Sequence, residues 1–338
     1  MQAAFNVGPG CFEVREVATP EPGPDEALIR VRASAICGSD KHEFRGERPP
    51  RRGDASDAAV GPLPPRIAGH EFSGTIAGFG GEETGGFREG DSVVVAPIIG
   101  CGRCPACAAG DFGECPQGRG AIGYSRPGGF ATYVAVPVRN LLSMSPALSF
   151  AEASLVEPAA VGVHAATRVD LAGKRCLVVG AGAIGLLTAQ AAQARGAGEV
   201  WAADTDPEHL AVADALGLRA ALIGRDAPPA GELDVAFECV GRHDAPLATA
   251  LEALRRQGTL VLVGSGHPGG LSTDALVFGS LTAIGSCGTS MGELRQAQEW
   301  MAAGCVRVQP LITAAFPLAQ MNEAFAASLS AQKVMLDL

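Results

Sequence analysis

The sequence predicts an α/β fold joined to a β-rich one: a doubly wound parallel sheet in the second half of the chain, preceded by an antiparallel β domain. Three observations carry this. Residues 176–179 form a short, β-branched apolar run that leads at once into Gly180, Gly182 and Gly185, spaced G-x-G-x-x-G, and then into an apolar, Ala-rich helix beginning at Ile184. Strand-like and helix-like segments go on alternating to residue 286, with strands at 200–203, 220–223, 235–238, 259–263 and 283–286 and helices at 207–216 and 245–257. Residues 1–36 instead alternate short apolar strands with Pro/Gly punctuation.

Strand, glycine turn and helix in that order are the context a dinucleotide-binding motif needs. The first glycine permits the tight turn, the second lets the backbone approach a pyrophosphate, and the third lets helix and strand pack closely. The phosphates are expected on the helix N-terminus. A second strand ends in Asp204, about twenty residues beyond the motif, where a carboxylate accepts from ribose hydroxyls and repels a 2′-phosphate. NAD is therefore expected rather than NADP. Ile184 at the helix start and Val263 at the end of the strand 259–263 complete the expected cofactor contacts.

Composition sets the outer bounds. At 338 residues, 47% hydrophobic and 18% charged, the chain is long enough for two domains with a sizeable core. A net charge of −10 with no Lys/Arg cluster excludes the basic face that nucleic acid or an anionic membrane requires. Residues 176–194 are uncharged over the length of a bilayer span, but their glycines and glutamines fit a buried helix, so no membrane partner is expected. The first ten residues lack a basic segment followed by an apolar one, and the cytoplasm is the expected compartment. Ten cysteines there point to metal or catalysis rather than a disulfide framework.

In chain order, the first chemical cluster is Cys37-Gly38-Ser39-Asp40-Lys41-His42, which closes a strand with a thiol, a hydroxyl, a carboxylate and an imidazole. Residues 43–66 are a Pro/Arg/Gly/Asp-rich loop carrying Arg45, Arg48, Arg51 and Arg52, a candidate lid over a polar or anionic substrate. It leads to His70 and Glu71, two metal-competent side chains flanked by glycines. Cys101, Cys104, Cys107 and Cys115 then place four thiols within fifteen residues, as a closed tetrahedral zinc site requires. Glu157 follows in an apolar helical context, where a carboxylate needs a partner. Cys11, Cys176, Cys239, Cys287 and Cys305 have no metal spacing, and core packing is expected of them.

With CGSDKH, GHEFSG, the four-cysteine segment, GGFATYVAVP, VEPAAVGVHA, VVGAGAIGLL, DTDP, ECVG and PLITAAFPL in hand, the chain resembles the zinc-dependent medium-chain dehydrogenase/reductase superfamily over nearly its whole length. The resemblance implies a Rossmann domain at 149–287 and a GroES-like catalytic domain at 1–148 and 288–338, with a structural-zinc lobe at 98–116 and the active site in the cleft between domains. It implies a catalytic zinc on Cys37, His70 and either Glu71 or Glu157, the VEP context of Glu157 being like the sorbitol and butanediol members. Ser39 and His42 resemble the family's proton relay, and Asp40 an acid that orients His70. His209 falls where relatives place a basic residue beside the adenosine, and Lys333 is expected at the pyrophosphate. A homodimer or homotetramer is implied. The expected reaction is NAD-dependent oxidation of a secondary alcohol, namely a diol, polyol or cyclitol. L-threonine or another amino alcohol is the alternative substrate, and a zinc-free reductase or a non-catalytic NAD/zinc-binding protein are the alternative classes.

Overall fold

The computed structural model describes residues 1–47, 66–118, 120–226 and 230–338. Arg48, Arg51 and Arg52, on which the lid expectation turns, lie outside them. The chain divides into two compact units: Met1–Glu157 with Ser290–Gln298 and Ile312–Leu338, and Pro158–Thr289 with Glu299–Leu311. The second unit thus begins later than expected and takes back residues 299–311 from the returning C-terminal segment.

In the second unit six parallel strands lie in the order Arg219–Leu222, Glu199–Asp204, Arg175–Val179, Leu233–Glu238, Leu254–Leu262, Thr282–Gly285. Sequence order reverses on either side of Arg175–Val179, and the glycine turn leaves the sheet at that point, where doubly wound sheets open a ligand crevice. This strand and its neighbour Leu233–Glu238 are buried on both faces, which is why residues 176–179 and 235–237 read as continuous apolar runs. The segment expected as a helix over 245–257 is the helix Asp244–Ala253 followed directly by the strand Leu254–Leu262. Leu254 pairs with Leu233, and residues 259–262 pair with 235–238, so the chain is already in the sheet where the helix was expected to continue.

In the first unit a sheet runs in the order Ile312–Pro317, Lys333–Asp337, Glu26–Ala35, Glu71–Phe79, Ser92–Val95, Leu141–Ser143, with Tyr133–Pro137 also paired to Glu26–Ala35. Its pairs are antiparallel except Ile312–Pro317 with Lys333–Asp337. A three-stranded sheet of Cys11–Glu16, Gln2–Gly8 and Arg66–Ile67 lies on this unit too. The registers Ala35↔Glu71 and Met335↔Ala35 bring the ends of three strands together at one edge, so Cys37, Glu71 and Lys333 converge although they are distant in sequence.

Behind that edge sits an aromatic cluster. Phe325 is fully buried, its ring stacked 4.5 Å from Phe12 and edge-on to Phe130 at 5.9 Å. Among the remaining cysteines, Cys176 is buried, its thiol pushed up to about 12 by burial, but Cys11, Cys287 and Cys305 are exposed, correcting the expected core packing. No helix of the described residues is long and apolar enough to cross a membrane.

Phe325→Ala removes the centre of the aromatic cluster and is expected to lower unfolding stability by roughly 3–5 kcal/mol, the range for a buried aromatic leaving a cavity. Urea denaturation checks this; a midpoint equal to wild type would show that the cluster is not what holds the first unit together.

Candidate active site and metal centres

Cys101, Cys104, Cys107 and Cys115 come together as their spacing predicts. Their sulfurs all lie within 4.8 Å of one another, with Cys101–Cys107 at 4.0 Å and Cys104–Cys115 at 3.8 Å. A tetrahedron of thiolates at a Zn–S distance of about 2.3 Å has edges of about 3.8 Å, so the four sulfurs fit zinc. Backbone N–H groups point at them: Cys107 N–H donates to Cys104 Sγ at 3.5 Å and Cys101 N–H to Cys115 Sγ at 3.3 Å. Such donors favour thiolates, and the Cys101 thiol is pulled down to about 6, first by the N–H of Arg103. Cys107, the buried member, is pushed up to about 11 by burial. Cys101 and Cys107 are thus pushed in opposite directions, and a divalent metal would favour the thiolate at both.

The second cluster is built on three strand ends. Cys37 follows Glu26–Ala35 and caps the helix Gly38–Phe44 with extended backbone. Asp40, in the first turn, accepts the Cys37 N–H at 3.0 Å and fixes that cap. Gly69 immediately precedes His70 with φ +89°, and a Cβ there would lie 2.5 Å from the Phe130 ring, so only glycine lets the chain turn His70 inward. His70 is 5% exposed. Donor atoms of Cys37, His70 and Glu71 lie within 4.8 Å of one another. Asp40 Oδ1 stands 3.9 Å from His70 Nδ1, which has no hydrogen-bond partner among the described residues. The carboxylate therefore faces the imidazole at ion-pair distance rather than through a direct hydrogen bond.

Glu71 is fully buried and Lys333 is 3% exposed. Lys333 Nζ donates to both carboxylate oxygens, at 2.6 and 2.5 Å. This corrects the expectation that Lys333 reaches the pyrophosphate: its ammonium is inside the first unit and committed to Glu71. Burial opposes its charge, but Glu71 and Cys37 outweigh burial and hold its pKa above the ordinary value. Glu157 belongs to the same electrostatic cluster, its carboxyl pushed up to about 7, chiefly by burial, with His70 opposing and Glu71 adding to the rise. Asp40 is raised by burial as well. Burial works against a charged His70, yet Cys37 and Asp40 raise its pKa well above the usual value. So many anionic groups around one imidazole and one ammonium describe a pocket that attracts a further cation, and its thiol, imidazole and carboxylate donors suit zinc.

Ser39 Oγ lies 2.7 Å from the Tyr124 hydroxyl, which in turn is 3.4 Å from His70 Nε2. Tyr124 belongs to no motif and was not anticipated; its only trace in the sequence is an aromatic placed between glycines in GAIGYSRPGG. His42 Nδ1 meets Glu47 at 2.6 Å, a half-exposed pair at the end of the same helix.

In the second unit each motif glycine has its own steric reason. Gly180 has φ +96°, a Cβ on Gly185 would lie 1.8 Å from the Gly180 carbonyl oxygen, and a Cβ on Gly182 would meet nothing within 4 Å. Gly180 thus makes the turn, Gly185 lets helix meet strand, and Gly182, capping Ala183–Ala194, leaves an open approach. Ile184 is in the first turn of that helix. Asp204 ends its strand and accepts from Ala181 N–H at 2.7 Å and Asp206 N–H at 2.9 Å, with His209 Nδ1 at 3.3 Å. These contacts outweigh burial and keep its carboxyl below the ordinary range. Val263 follows Leu254–Leu262, its N–H donating to the Glu238 carbonyl at 2.9 Å. The expected cofactor residues other than Lys333 thus sit in this unit.

Residues 23–146 match the family model for the alcohol dehydrogenase GroES-like domain, and residues 183–303 that for zinc-binding dehydrogenases. The chain is 30% identical to an L-threonine 3-dehydrogenase of Coxiella burnetii, over 97% of this chain and 96% of that one. It is 34% identical to a sorbitol dehydrogenase of Bacillus subtilis, over 78% and 75%. Among solved structures, a zinc-binding dehydrogenase from Sinorhizobium meliloti 1021 bound to NADP superposes with a TM-score of 0.86 at 29% identity, covering 100% of this chain and 99% of that one.

Removing the Lys333 ammonium leaves the Glu71 carboxylate buried without its partner, and zinc-free Lys333→Met is expected to lose roughly 3–5 kcal/mol of stability. Adding Glu71→Gln should restore most of it. Equal denaturation midpoints for the single and double variants would contradict the pairing.

Proposed function

Since the chain belongs to the zinc-dependent medium-chain dehydrogenase/reductase superfamily, we propose that it oxidises a secondary alcohol, specifically a diol, polyol or cyclitol, to the ketone with NAD as hydride acceptor. The observation that carries this reading is the convergence of Cys37, His70 and Glu71 donors within 4.8 Å, beside the hydroxyls of Ser39 and Tyr124. Cys37, His70 and Glu71 would hold the catalytic zinc, with Lys333 fixing Glu71 and Glu157 in the same electrostatic cluster. Asp40 favours a proton on the facing Nδ1, which leaves the Nε2 lone pair of His70 to the metal. When bound, zinc supplies Lewis acidity that lowers the pKa of a coordinated hydroxyl.

The protein's own groups do the rest. Ser39 would accept the substrate proton as it gives up its own, and His42, half-exposed at the end of the same helix, is the group that would release a proton to solvent. Gly180, Gly182 and Gly185 shape the pyrophosphate site, and Asp204 accepts from the adenosine ribose. A 2′-phosphate there would face the Asp204 carboxylate, so NAD is preferred even though the Sinorhizobium relative was solved with NADP. The second reading, oxidation of L-threonine, is supported by the Coxiella relative.

A screen of NAD reduction over vicinal diols, sugar alcohols, inositols, aminocyclitols and L-threonine tests the proposal. A neutral diol, polyol or cyclitol is expected to turn over best, and Cys37→Ser and His70→Ala are expected to abolish that turnover while leaving NAD affinity largely intact. L-threonine as the preferred substrate would move the assignment to the second reading, and most activity surviving in either variant would remove zinc from the reaction.

A further inference from the structure

Tyr124 is held in place by more than its hydroxyl. Its ring lies 4.8 Å from that of His70, tilted by 37°. The Arg66 guanidinium stands 5.7 Å from the ring centre and donates to the Tyr124 carbonyl at 3.3 Å, while the same side chain bonds the Gly123 carbonyl and Glu43. A Cβ at Gly123 would lie 2.5 Å from the Gly69 carbonyl oxygen, so the Tyr124 turn is packed directly on the backbone that turns His70 inward. The phenol is therefore built into the site.

A phenol has one proton to donate and two lone pairs. Among the described residues, His70 Nε2 at 3.4 Å and Ser39 Oγ at 2.7 Å are the groups within hydrogen-bond reach of it. A His70 that gives its Nε2 lone pair to a metal no longer accepts from Tyr124. Ser39, if it takes the proton of the reacting hydroxyl, commits one of its two lone pairs to the substrate. The Tyr124 O–H then has Ser39 as its remaining acceptor among the described residues, and a substrate oxygen beside the reacting one offers it a second.

The geometry points to Tyr124 as a specificity-determining residue whose hydroxyl donates to a substrate oxygen on the carbon next to the reacting one. This rests on the alcohol-oxidation reading and names the substrate feature it leaves open. Two protein hydroxyls 2.7 Å apart offer themselves to two substrate oxygens that are themselves hydrogen-bond neighbours, the arrangement of a gauche vicinal diol. A simple secondary alcohol offers an oxygen to Ser39 and none to Tyr124. The ammonium of an amino alcohol has no lone pair, so it cannot accept the Tyr124 proton.

Tyr124→Phe keeps the ring against His70 and Arg66 and removes only the hydroxyl. In the zinc-loaded enzyme, kcat/KM for butane-2,3-diol relative to butan-2-ol is expected to fall about tenfold, mainly through KM, as for loss of one neutral hydrogen bond. Calorimetric titration of the NADH complex with the diol should show a similar loss of affinity, with zinc content and NADH affinity as in wild type. An unchanged diol-to-monoalcohol ratio, equal losses for both alcohols, or loss of zinc from the variant would each overturn the assignment. Should the wild-type enzyme turn over neither alcohol, the alcohol reading fails by itself, and Tyr124 is then judged by calorimetry alone: equal diol affinity in wild type and Tyr124→Phe overturns its role.

Discussion

The first unit is organised around a charge problem. Cys37, Asp40, Glu71 and Glu157 converge on His70 in a region that water does not reach freely, and buried charges persist only when they are paired. Lys333 answers part of the problem by bonding both oxygens of Glu71. A second lysine cannot answer the rest: Lys41 donates to the Ala331 carbonyl at 3.1 Å, and its ammonium is pushed down to about 8, first by burial and then by Lys333 itself. Raised pKa values at Asp40, Glu157 and His70, each favouring the protonated form, are how the site meets the imbalance without a metal. A divalent cation bound by the thiol, the imidazole and a carboxylate removes the need for all three.

That requirement explains the architecture. Three strand ends must meet for the ligands to meet, and the register between Glu26–Ala35, Glu71–Phe79 and Lys333–Asp337 does this. The aromatic cluster of Phe12, Phe130 and Phe325 keeps the turn at Gly69 in position, since Phe130 occupies the space a side chain there would need. In the second unit the equivalent constraint is steric. Gly185 lies so close to the Gly180 carbonyl that the turn and helix exist together only with glycine, and Asp204 locks onto the same turn through the Ala181 N–H.

What the sequence made legible was local. The four cysteines and the glycine turn with its acidic strand end carry their chemistry in one stretch of chain, so spacing predicts which groups meet, whereas the meeting of CGSDKH with GHEFSG was implied only by the family resemblance. Lys333 was misplaced because its partner Glu71 is 262 residues away and only the sheet register joins them. Tyr124 left no periodic signal, since its position depends on a turn packed backbone to backbone against Gly69. The boundary between the helix Asp244–Ala253 and the strand after it was missed for a similar reason: Leu254–Gln257 is a plausible helix end until strand pairing is considered. Exposed Cys11 and Cys305 show the same limit, because apolar neighbours in sequence do not decide which side of an element faces water.

If both sites hold zinc, one fixed by four thiolates and the other by Cys37, His70 and a carboxylate, the metals must be separable by mutation. Elemental analysis of the purified protein tests this most directly. Two zinc ions per chain are predicted for wild type, and one for His70→Ala with Cys101, Cys104, Cys107 and Cys115 intact. One zinc in both proteins, with none lost on replacing His70, would contradict the account and leave the charge cluster around Lys333 without the cation it is built to receive.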